Sequence, residues 1–196
     1  MSNSANIVAG KPLATGGVRI APLGTTAPTD AVTALDAGFK TAGYVGEDGL
    51  TESTERSTEK VKAWGGDIVK VLQTDYSVTY QFTFLETLND DVLKTVYGDA
   101  NVTVTPADAT KGTLRTVKLN SEQLPHKSFV FEMKDGDAKI RIHVPDGQVT
   151  EVGEVTYSDS ELVGYQVTVE AFRDSTLNAN AVKYIDDGKP TAGSGD

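Results

Sequence analysis

Apolar and polar residues alternate most regularly between Asp67 and Gly98. Val78, Tyr80, Phe82 and Phe84 take every second position, with Thr79, Gln81 and Thr83 between them, the period-2 signature of a strand with one buried and one polar face. The polar face is almost uncharged. After Glu86 the period lengthens: Asn89 can cap a helix, Asp90 and Asp91 suit its positive end, and Gly98 suits its stop. Val92, Leu93 and Val96 then share one side, so a single helix packed on a sheet is predicted.

Strand signals recur on both sides of this run. Gly17 to Pro22 predicts a short strand, Val102 with Val104 another, and Leu114, Val117 and Leu119 a third. In SFVFEMKDGDAKIRIHV a turn near Asp135 and Gly136 separates Phe129, Phe131 and Met133 from Ile140, Ile142 and Val144, which predicts a hairpin. Its other face carries Lys139, Arg141 and His143. Val149 to Tyr157, interrupted at Gly153, Tyr165 to Ala171, and a short edge strand at Ala181 to Ile185 complete the set. Many short strands with one helix predict a mainly β (α+β) chain: a β-sandwich or partly rolled barrel with one flanking α-helix.

The first 60 residues read differently, being rich in Gly, Ala, Thr and Pro. A helical turn is expected after Pro28, with Asp30 as cap and Val32, Leu35 and Phe39 on one face. Residues 1–40 are otherwise expected to form an extended N-terminal arm with little core, whose removal should leave a folded subunit. The main β domain then covers 41–185, interrupted by a long polar loop at 43–66, and 186–196 forms a flexible tail. Ordered loops of such length are uncommon unless they are functional or bind a partner.

Charge narrows the partners. With 18 Lys and Arg against 28 Asp and Glu, the net charge is −10. Residues 101–145 hold 7 basic and 5 acidic side chains, residues 146–196 hold 3 and 10. Such acidity opposes adhesion to nucleic acid, which requires cationic side chains on phosphates, and suits a surface that DNA passes without sticking. Cysteine is absent, which excludes disulfides and thiolate chemistry. No apolar run reaches the roughly 18 residues of a membrane span, and the N-terminus lacks the pattern of a signal peptide.

No catalytic constellation emerges. His126 and His143 are the only histidines, and Ser128 lies outside any G-x-S-x-G elbow, so ordinary surface histidines are expected. The acidic pairs Asp90 with Asp91, Asp135 with Asp137, and Asp186 with Asp187 lack calcium-loop spacing and read as caps and turns. GTTAPTD and AWGGD match no phosphate-binding loop, so no metal and no cofactor is expected. Trp64 suits either packing on the core or stacking on a sugar or partner. Lys139, Arg141 and His143 suit a solvated strand face or a contact with an acidic surface of another subunit.

In one respect the chain is more specific. The order Pro-Thr-Asp, a small-residue Leu-Asp segment, Gly-Tyr-Val, an Asp-Gly turn, a charged loop and Trp-Gly-Gly-Asp across residues 21–70, followed by the strand and helix of 77–98, resembles the major tail tube proteins of long-tailed, non-contractile bacteriophages, especially those of actinobacterial hosts. The second half matches only in its strand pattern. The resemblance implies a virion protein, assembled in the host cytoplasm, whose sandwich domains join into stacked hexameric rings around a channel for phage DNA. It further implies an N-terminal arm and a long loop reaching toward the next ring, and as partners further copies of itself, a tape-measure protein, and tail-tip and tail-terminator proteins. Thr79, Gln81 and Thr83, with Gln166, Thr168 and Glu170, are then candidates for the channel wall. Val32, Leu35, Phe39, Tyr44, Trp64, Lys139, Arg141 and His143 are candidates for contacts between subunits. The competing reading is an immunoglobulin-like binding or adhesin module that holds a ligand through Trp64 and residues 43–66. An enzyme finds no support.

Overall fold

The computed structural model describes residues 2, 6–13 and 16–190. Its strands are β1 (Val18–Pro22), β2 (Lys40–Thr41), β3 (Thr51–Lys62), β4 (Ile68–Phe84), β5 (Val102–Thr105), β6 (Leu114–Val117), β7 (Lys127–Asp135), β8 (Ala138–Val152), β9 (Tyr165–Ala171) and β10 (Val182–Asp186), with one α-helix, α1 (Asp90–Tyr97). The chain is mainly β, with antiparallel sheets and one helix, as the alternation predicts.

The main sheet runs β2-β1-β7-β8-β9-β4-β3, with β10 on the same edge of β8 as β9, while β5 and β6 pair separately. One short segment brings its ends together. Ala42 N–H donates to Val18 O of β1, and two residues later Leu85 N–H donates to Tyr44 O and Gly46 N–H to Thr83 O at the end of β4. Residues 40–46 thus connect β1 to β4, rolling the sheet around its apolar face. Phe131 of β7 consequently meets Tyr80 and Phe82 of β4, with ring centroids 5.1 and 5.4 Å apart.

The core inside this roll takes Val18 and Ile20 from β1, Val78 to Phe84 from β4, Phe129 and Phe131 from β7, Ile142, Val144 and Val149 from β8, and Tyr165, Val167 and Val169 from β9. Helix α1 closes it with Val92, Leu93 and Val96. Asn89 caps the helix, its side-chain oxygen accepting the Asp91 N–H at 3.0 Å, and Gly98, at φ 94°, ends it by donating to Lys94 O. A left-handed φ is costly for any residue with a Cβ, which accounts for glycine there.

Three expectations about the first half need correction. Residues 16–42 are not a coreless arm, because β1 pairs along β7 from Val18↔Phe131 to Pro22↔Lys127 and its side chains fill the core. No helix follows Pro28. Asp30 does cap a turn, accepting from Val32 N–H and Thr33 N–H, but Phe39 is buried while Val32 is exposed, so no shared face forms. Residues 51–62 of the expected loop form the whole of β3. The residues proposed as a C-terminal tail lie outside the described part of the chain from 191 onward.

Candidate assembly surfaces

Three features of the surface carry the functional argument. The first is the outer face of β4 and β9. Register pairs Thr79 with Glu170, Gln81 with Thr168, and Thr83 with Gln166, so the two sets of candidate wall residues form one face rather than two. Directly opposed residues lie about 4.5–5.5 Å apart at Cβ, close enough to act as a single surface. Neighbouring strands extend it: Thr51 pairs with Gln81, Ser53 with Thr79, and Glu151 with Thr168. Across these nine residues the only charges are the carboxylates Glu151 and Glu170. Near one end, Gly46 and Gly164 lie so close to Thr83 that an added Cβ would meet its side chain at 3.1 and 2.9 Å.

The second feature is the hairpin of β3 and β4. From Thr54↔Val78 outward the pairing continues, through two irregularities, to Lys62↔Ile68, yet residues 53–76 are exposed throughout. Nine residues of β4 beyond Ser77, at about 3.3 Å each, make an arm of about 30 Å. Its exposed side chains include Val61, Ile68, Val69, Val71, Leu72 and Tyr76. At the tip Gly65 (φ 113°) and Gly66 (φ 98°) make the turn, and Trp64 stands fully in solvent. Trp64 therefore does not pack on the core. Residues 55–76 hold four acidic and four basic side chains and are neutral overall, unlike the body. The sequence carries one sign of this arm: between Ile68 and Leu72 apolar residues occupy both parities, unlike the strict alternation from Val78 to Phe84.

The third feature removes residues from the surface. Arg141 and His143 are buried on the outer face of β8, beneath residues 21–39. Arg141 donates to Glu132 Oε1 from Nε at 3.0 Å and from Nη2 at 2.6 Å, and its Nη1 donates to the carbonyls of Asp30 and Thr33 at 2.7 and 2.9 Å. Arg19 reaches Glu132 Oε2 at 3.0 Å, so one carboxylate serves two guanidinium groups. Tyr184 adds a bond to Pro28 O at 2.7 Å. The segment 28–33 is fastened by its carbonyls, which any sequence presents, so nothing in its side chains announces the clasp. Asp30 itself sits in a turn, where the Thr33 hydroxyl and then the Thr33 and Val32 N–H groups hold its carboxyl down at about 2.

His143 Nε2 lies 3.1 Å from Ser128 Oγ, whose hydroxyl also reaches Val144 O at 3.2 Å. Because the serine has one proton and a carbonyl can only accept, Ser128 donates to Val144 and His143 donates through Nε2. Nδ1 is then an unprotonated lone pair, and it has no partner among the described residues. Burial pushes this imidazole down to about 4. His143 is thus not the surface histidine expected; it meets Ser128, but both are buried and among the described residues no carboxylate orients the ring, so the pair cannot attack a substrate. His126 instead pairs with Asp146 at 2.6 Å.

Of the residues considered for subunit contacts, Phe39, Arg141 and His143 are inside the chain and Leu35 packs against Phe39 and Val130. Val32, Tyr44 and Trp64 are exposed, and Lys139 is half-buried. The acidic pairs are engaged locally, Asp90 with Arg115, Asp135 with the Ala9 N–H, and Asp186 with the Gly188 N–H. Among the described residues no cluster of three or more His, Asp or Glu could hold a metal ion, and no helix is long and apolar enough to cross a membrane.

Comparison with known proteins agrees with a surface built for assembly. Among solved structures the chain is similar to the anti-feeding prophage cap that terminates its tube, at 11% identity and a TM-score of 0.45, covering 95% of this chain and 100% of that one. That likeness is too loose to carry an argument about any residue. No curated protein sequence matches. The profile of the phage tail tube proteins, however, matches residues 1–194. A rolled sheet with a polar outer face and a projecting arm is thus the subunit of a virion tail and not an enzyme: the chain belongs to the phage tail tube protein family.

Proposed function

We propose that this subunit assembles into hexameric rings that stack head-to-tail, with the outer face of β4 and β9 lining the channel through which DNA passes. The observation that carries this reading is that face itself: nine side chains in register, all polar, two of them carboxylates and none cationic. A DNA phosphate meets weak repulsion there and no Lys or Arg on which to release counterions and bind. Glu132 holds Arg19 and Arg141 over the β1, β7 and β8 part of the outer face, where residues 30–33 cover Arg141, and this keeps these cations off the wall.

Stacking of identical rings is a head-to-tail contact that does not close, so growth is open-ended. A tube of this kind is filled during assembly by a tape-measure protein and bounded by tail-tip and terminator proteins, in a long non-contractile tail built in the host cytoplasm. The order of motifs over residues 21–70 supports that placement. Electron microscopy of concentrated subunits tests it. Tubes whose cross-section averages with six-fold symmetry are expected, and subunits that stay monomeric even with the tail-tip complex present would overturn the reading.

A further inference from the structure

The hairpin arm and α1 lie at opposite ends of β4: the arm occupies its first nine residues, and α1 begins six residues after Phe84. At the α1 end the surface holds a groove of about 510 Å³. It is lined by Ile20, Ala21, Pro22 and Leu23 at the end of β1, with Lys40, Lys94 and a single carboxylate of α1, Asp91, among its charged residues. We propose that this groove receives the hairpin tip of a second copy of the chain, with Trp64 as the anchor. The proposal rests on the head-to-tail reading above and adds the seat of the arm.

Size, charge and direction agree. The groove lies within the roughly 300–1,000 Å³ of pockets that bury a small molecule, room enough for an indole and the two glycines behind it. Tryptophan is among the residues most enriched at the energetic centre of interfaces, and its ring attracts cations over its face. Trp64 is the chain's only tryptophan and is fully exposed. Lys127 is already held by Asp99 at 2.9 Å, whereas Lys94 makes no ion pair among the described residues and can meet Asp67 of the incoming tip. Tip and groove sit at opposite ends of one strand, so each copy offers a tip to one neighbour and a groove to the other. The arm extends about 30 Å beyond Ser77 and is exposed throughout, so its tip stands clear of its own body and within reach of a neighbour.

Chemical cross-linking tests the contact on the unaltered protein. In tubes assembled from equal amounts of isotopically heavy and light subunits, carbodiimide should couple Asp67 to Lys94 or Lys40, and about half of the joined peptides should carry one heavy and one light partner. Because the chain lacks cysteine, tubes of an A63C/L23C variant, which keeps Trp64, should give disulfide-linked oligomers on oxidation, while either single variant gives none. Trp64→Ala should abolish elongation yet leave the subunit's unfolding midpoint unchanged. Tubes that form without either cross-link would overturn the groove and leave the stacking intact. A wild-type chain that never elongates would overturn the stacking itself.

Discussion

Replacing Arg141 with alanine separates an internal clasp from a contact between subunits. In the folded chain Arg141 is 4% exposed and makes two bonds to Glu132 and two to main-chain carbonyls of residues 30 and 33. Removing one partner of a buried pair leaves the other charge desolvated, at a cost of roughly 3–5 kcal/mol. Arg19 still reaches Glu132 from a more exposed position, which places the expected loss at the lower end, about 3 kcal/mol. With a urea m-value of about 2 kcal/mol/M, the midpoint should fall by about 1.5 M. The assay is urea unfolding of dilute, unassembled subunits, followed by the tryptophan-independent far-ultraviolet signal. Glu132→Gln together with Arg141→Met should recover part of the loss, because the two changes remove both charges of one pair. An R141A subunit with an unchanged midpoint, failing only in assembly, would refute the clasp and return Arg141 to the subunit interface.

The other predictions follow from the same geometry. Burial lowers His143 to about 4 from its ordinary 6.5, so the unfolded chain binds a proton between these values that the folded chain does not. Its contribution is therefore fully present above about pH 6.5, lost as pH falls toward 4, and amounts to about 3 kcal/mol. The His143 ring signal in nuclear magnetic resonance should stay that of a neutral imidazole at pH 5.5, and a cationic ring there would contradict the burial argument. Gly147→Ala would place a Cβ 2.9 Å from Phe129 and 3.0 Å from Val169, and overpacking of this kind costs about 1–3 kcal/mol; an unchanged melting temperature would show that the core yields. Deletion of residues 1–40 removes β1 and with it Val18 and Ile20, so circular dichroism should report an unfolded chain rather than a folded subunit that cannot assemble. Gln81→Lys in the proposed wall should leave tube formation intact but slow DNA ejection, with the defect shrinking at higher salt; full infectivity at low salt would count against a repulsive wall.

Sequence alone determined those features that depend on near neighbours. The period-2 run from Val78 to Phe84, the capped helix from Asn89 to Gly98 and the hairpin around Gly136 were all legible, because alternation, capping and turn chemistry act over a few residues. The polar faces of β4 and β9 were legible separately. Only the tertiary register made them one surface, since hydrogen bonding between strands some ninety residues apart leaves no trace in either segment. Arg141 and His143 show the opposite failure: alternation correctly put them on the face away from the core, but a second layer, residues 21–39, covers that face, held by main-chain carbonyls that no side-chain pattern reveals. The arm illustrates the limit most plainly. Strand propensity continues from Phe84 back to Ile68, and what decides that only its second half is buried is where the sheet closes on itself, through residues 40–46 that carry hardly a signal of their own.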